Sequence, residues 1–95
     1  MVQVRTDVRE RLDYLLGYLT DAWCGLPQVE QAIDGWDIVE QIDYIEEWTP
    51  KLGLTRQLQQ LIASPCADDD QRAIYEKLQQ VMEENRPILD RLRAS

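Results

Sequence analysis

The chain has 95 residues, a net charge of −8 and a sequence pI near 4.3. With 44% hydrophobic and 29% charged residues it reads as a globular chain rather than a disordered one, and a single domain of this length buries about 60–65% of its unfolded surface. The acidic balance repels nucleic acid and anionic membranes as non-specific partners and favours basic protein surfaces.

Helical periodicity runs almost throughout. In the first segment Val8, Leu12, Leu15, Leu19 and Ala22 recur at steps of 4, 3, 4 and 3, an apolar seam on a helix of roughly five turns. Gly25 suits a C-terminal cap and Pro27 the first turn of the next helix. The second segment, Pro27 to Asp34, is short and is interrupted at Gly35. The third, Trp36 to Trp48, carries a seam of Ile38, Ile42 and Ile45 with Val39 at its edge. Thr49–Pro50 reads as a boundary, with a cap followed by a first-turn proline. The fourth carries Leu54, Leu58, Leu61 and Ile62 and is broken by SPCADDD.

Asp68 and Gln71 have capping-box spacing for the last helix. Its seam is Ile74, Leu78, Val81, Asn85, Ile88 and Leu92, and it stays in phase across Pro87, which favours a kink there over a reversal. No stretch alternates with period two, and no hairpin dipeptide lies between β-branched runs. The expectation is all-α: a single helical domain over 1–95, a bundle of four to five helices with short loops, the last kinked or restarted near Pro87.

The chain has no histidine, which removes the commonest general base, the commonest transition-metal ligand and the usual nucleophile pairs. Its two cysteines, Cys24 and Cys66, cannot build a four-thiolate zinc site in one chain. They lie in expected loops, and a bridge between them is geometrically open. The opening MVQVRTDVRE is charged and lacks the apolar stretch of a secretory signal. No apolar run approaches the ~20 residues that span a bilayer. The expected location is therefore the cytoplasm, with free thiols and no membrane partner. The four glycines are scattered singly, so no phosphate loop is present. Arg5, Arg9 and Arg11 form a small basic cluster near the start, most simply solvated or paired with acidic neighbours.

What remains is carboxylate. Glu10-x-x-Asp13 falls in the first helix and Glu40-x-x-Asp43 in the third, followed by Glu46 and Glu47. Carboxylates at i and i+3 project side by side, and two such pairs facing each other could hold Mg²⁺. The tetrads resemble those of the all-α nucleoside triphosphate pyrophosphatases, which bind Mg²⁺ through a Glu-Glu-x-x-Glu helix and a later Glu-x-x-Asp helix. The resemblance implies a Mg²⁺-dependent hydrolase with Glu10, Asp13, Glu40 and Asp43 as ligands. The Glu-Glu-x-x-Glu element is absent ahead of either tetrad. If the apolar seams meet in a core, both tetrads point to solvent.

The competing expectation is a non-enzymatic interaction or regulatory module without a cofactor. Opposite the Ile38, Ile42, Ile45 seam, a helix over this stretch lines up Trp36, Glu40, Asp43 and Glu47. An aromatic beside a negative face suits a protein partner with a basic surface. A chain that folds back at Gly35 would instead tuck Trp36 over the core. Trp23 and Trp48 read as core or core rim, and Tyr14, Tyr18 and Tyr44 flank the seams. Two further possibilities are a homodimer and an acidic inhibitor that imitates nucleic-acid phosphate. Asn85 either satisfies carbonyls freed by Pro87 or fixes the register of a self-associating pair.

Overall fold

The structure, a computed structural model, describes the backbone of residues 2–94 and the side chains of residues 7–94. The side chain of Arg5, part of the basic cluster noted above, lies outside the described residues. Three long helices make the fold: α1 (Val2–Cys24), α3 (Ile38–Ile62) and α4 (Asp69–Ala94). A short α2 (Leu26–Ala32) and one 3₁₀ turn (Ile33–Gly35) link α1 to α3. The all-α class is as expected. The helix count is not, because two expected helices fuse into α3.

The α1 helix packs against both α3 and α4, which also touch each other. Arg11 Nη2 donates to Gln57 Oε1 at 3.0 Å, and the rings of Trp23 and Trp48 meet at 5.0 Å, so α3 runs antiparallel to α1. Arg9 pairs with Asp68 at 2.8 Å, and Asn85 Nδ2 donates to the Trp23 carbonyl at 2.8 Å, so α4 runs parallel to α1. Leu12, Leu15, Leu16, Leu19 and Trp23 are buried along α1 and form one cluster with Leu26, Ile33, Trp48, Leu58, Ile62, Tyr75, Leu78, Leu89 and Leu92. Each buried leucine contributes about 1.5–3 kcal/mol of transfer free energy. The molecule is elongated, 49 × 23 × 17 Å.

Gly25 does not cap α1 in a left-handed conformation. Its φ and ψ are −78° and −11°, and its N–H still donates to the Asp21 carbonyl at 3.1 Å. The break comes from Pro27, which lacks the N–H that would have bonded the Trp23 carbonyl four residues back. Asn85 fills that vacancy from α4. Its acceptor is thus a carbonyl freed by Pro27, where the sequence had suggested Pro87.

Pro50 does not end a helix either. Thr49 and Pro50 both lie inside α3 and are exposed. The bond that Pro50 removes belongs to the carbonyl of Glu46, on the exposed side of the helix, where water can replace it. The consequence is rotational. Trp48, Thr55, Leu58 and Ile62 are buried and fix the phase of the whole 25-residue rod. At 3.6 residues per turn, Ile38 and Ile42 emerge about 80° and about 120° from Trp48, on the same side. The expected Ile38, Ile42, Ile45 core seam is therefore turned away from the core: Ile38 and Ile42 are exposed and Ile45 is half-buried. A separate short helix could have rotated to bury them, but a fused one cannot.

The last helix is continuous through Pro87, which is exposed, so it does not restart there. The expected capping box forms. Gln71 N donates to Asp68 Oδ1 at 2.8 Å, and Asp68 N donates to Gln71 Oε1 at 3.1 Å. Gln71 is itself buried, and its Nε2 also donates to Asp13 Oδ1 at 2.8 Å and to the Arg9 carbonyl at 3.2 Å. The buried seam of α4 is Gln71, Tyr75, Leu78, Leu89 and Leu92. It takes Tyr75 and Leu89 one residue past the expected Ile74 and Ile88, leaving Ile74 exposed.

Candidate docking face on α3

The start of α3 is built by Trp36 and Asp37. Asp37 is the N-cap, its Oδ1 accepting from the Val39 N–H at 2.9 Å, so one of the unpaired donors of the first turn is satisfied. Trp36 lies before the helix in extended backbone, φ −84° and ψ 154°. Its N–H donates to the Ile33 carbonyl at 3.0 Å, and its own carbonyl accepts from Gln41 Nε2 at 3.0 Å. The ring is half-buried, edge-on against Tyr44 at 5.7 Å. Trp36 therefore folds back on the core and does not share a helix face with Glu40, Asp43 and Glu47.

Those three carboxylates are exposed on α3. Glu47 lies 3.9 Å from Lys51 Nζ. The Lys51 ammonium also sits 5.5 Å from the centroid of the Tyr44 ring and 5.2 Å from that of Trp48, a cation–π arrangement. Burial, with the charge of Glu47 adding, pushes the Tyr44 phenol above its ordinary value.

The salient feature of this region is apolar. Ile38, Val39 and Ile42 are 64%, 59% and 47% exposed. Three β-branched residues grouped within little more than one turn expose about a few hundred Å² together, a size that on monomers is often functional. The charge of the stretch of chain that carries it is one-sided. From Leu12 to Pro50 the chain has no Lys or Arg but nine Asp or Glu, six of them between Asp34 and Glu47. Around the axis of α3, Asp43 borders the patch beyond Val39 and Glu46 follows Ile42 one turn further along, while Glu40 and Glu47 fall on the far side of the core-facing stripe. The patch was visible in the sequence only as a core seam. Carrying the Trp48, Thr55, Ile62 spacing back through Pro50 would have shown it out of phase.

The two acidic tetrads are not brought together. Since Arg11 meets Gln57, Glu40 and Asp43 lie about 20 Å or more along the α1–α3 pair from Glu10 and Asp13. Asp13 is bound to Gln71. Among the described residues no three His, Cys, Asp or Glu side chains gather in a metal-binding arrangement. The Cys24 thiol is exposed, that of Cys66 is half-buried, and both are free. Among the described residues no helix is long and apolar enough to cross a membrane.

A concavity of about 480 Å³ opens between α3 and α4 and is lined by Trp23, Leu52, Thr55, Met82, Arg56 and Arg86 among others. Arg86 already pairs with Asp90 at 3.5 Å, and Glu83 lines the same groove, so its charge is mixed. Comparison with protein-family models, with curated proteins and with solved structures finds no match for this chain.

Proposed function

We propose that this chain is a small, non-enzymatic protein-interaction module that docks a partner with a basic surface. The observation that carries this reading is the exposure of Ile38, Val39 and Ile42 on a helix whose phase is set elsewhere by Trp48 and Leu58. Leaving three β-branched side chains in water forgoes about 25 cal/mol per Å² of burial. A partner surface that covers them recovers that free energy. The acidic residues around the patch then supply orientation and discrimination more than affinity.

This reading moves the contact away from Trp36, whose ring is engaged with Tyr44. Asp43 stays within it, at the edge of the apolar patch, whereas Glu40 and Glu47 lie to the other side of α3. Concentration of unbalanced acidic charge in residues 12–50 favours docking at one region over imitation of a nucleic-acid backbone, which would need charge on several faces.

The test is photocrosslinking in cell extract, with a photoreactive residue placed at Ile42 and, as a control, at Glu76 on exposed α4. A discrete protein adduct formed from position 42 and not from position 76 supports the module. Adducts that do not depend on position count against it.

A further inference from the structure

We propose that the Ile38/Val39/Ile42 face receives an amphipathic helix whose apolar ridge is flanked by Lys and Arg. The inference rests on the interaction reading above and specifies the chemistry of the partner. The patch lies on the outer face of α3 and covers a little over one turn, roughly 6 Å along the axis. Ile38 and Ile42 are four residues apart, a row that packs between the ridges of another helix. An apolar centre with a charged border is the usual anatomy of a protein interface.

Charge decides what kind of helix fits. Asp43 and Glu46 border the patch, and Asp34, Asp37, Glu40 and Glu47 add negative charge to the same stretch of chain, which has no Lys or Arg. All six are exposed. A helix with acidic flanks would place like charges side by side, whereas one with basic flanks would meet opposite charge along its length. The same argument disfavours a second copy of this chain. An antiparallel two-fold pairing through α3 would set the Asp43 borders of both copies against each other. The patch also falls well short of the about 800 Å² per partner of a stable interface, so the flanking charge has to contribute.

The experiment is selection from a displayed library of helical peptides with randomised apolar ridge and flanks, using the wild-type chain and the Ile38→Ser/Ile42→Ser variant. Circular dichroism verifies that the variant is folded. The expected result is enrichment of peptides with Lys or Arg flanks. Binding of these peptides should weaken at least tenfold in Ile38→Ser/Ile42→Ser, at least tenfold in Asp43→Lys/Glu46→Lys, and markedly between 50 and 500 mM salt. Enriched peptides that need Ile38 and Ile42 but have neutral or acidic flanks would overturn the partner chemistry and leave the interaction reading standing. Absence of any peptide that depends on Ile38 and Ile42 would overturn both. Sedimentation of the chain alone is the second arm: a dimer abolished by Ile38→Ser/Ile42→Ser would make the occupant a second copy and overturn the proposal.

Discussion

Asn85 on α4 donates through Nδ2 to the carbonyl of Trp23 at 2.8 Å, the acceptor that Pro27 leaves without a helical donor. One polar side chain thus closes the end of α1 and ties it to α4. A buried carbonyl stripped of its partner costs about 1–3 kcal/mol. Asn85→Ala should lower the unfolding free energy by that amount in urea titration, with an unchanged slope. An unaltered midpoint would mean that the bond contributes nothing in solution.

Trp23 and Trp48 meet edge to face at 5.0 Å and 72° and are both fully buried. This pair joins α1 to α3 and sets the rotation of α3. Trp48→Ala should cost about 3–5 kcal/mol, a large share of the total of a domain this small. Chemical denaturation followed by far-UV circular dichroism measures it. A loss below 1 kcal/mol would be incompatible with a core position.

Pro50 sits inside α3, with its side chain in solvent. A proline in a helix interior is about 3 kcal/mol less favourable than alanine, partly offset by its restriction of the unfolded chain. Pro50→Ala should therefore stabilise the fold by about 1–3 kcal/mol, read as a raised thermal midpoint. Were Pro50 the first residue of a separate helix, the same substitution would be neutral or destabilising.

The hydrogen bond from the Gln71 N–H, with Arg9 2.8 Å away, holds the Asp68 carboxyl below its ordinary value. Its folded value is lowered, so its contribution is complete above the unfolded value of about 3.9 and is lost as pH falls through the folded one. The difference in urea midpoint between wild type and Asp68→Asn should be constant above about pH 5 and close towards pH 2. A difference that grows on acidification would contradict the assignment.

The all-α class, the α1 seam and the Asp68/Gln71 box could be read directly because each depends on residues close in the chain. The errors have a common cause. Thr49–Pro50 carries the chemistry of a boundary, yet a proline on the solvent side of a helix costs one bond that water replaces, and packing of Trp48 and Leu58 outweighs that cost. Once α3 is a single rod, the exposure of Ile38 and Ile42 follows. Likewise Tyr75 and Leu89, in place of Ile74 and Ile88, face the core because neighbouring helices choose among adjacent apolar positions on a wide face. The acidic face of α3 was legible, with Glu40, Asp43 and Glu47 exposed. The position of Trp36 was not, since it depends on a turn at Gly35 that places its ring on Tyr44.

The most direct measurement is the unfolding free energy of Ile38→Ser/Ile42→Ser, by urea titration at a concentration where the wild type is monomeric. If these residues form an open face, the variant stays within about 1 kcal/mol of wild type. A loss of several kcal/mol, the cost of removing two large side chains from a core, would return them to the interior and remove the docking face.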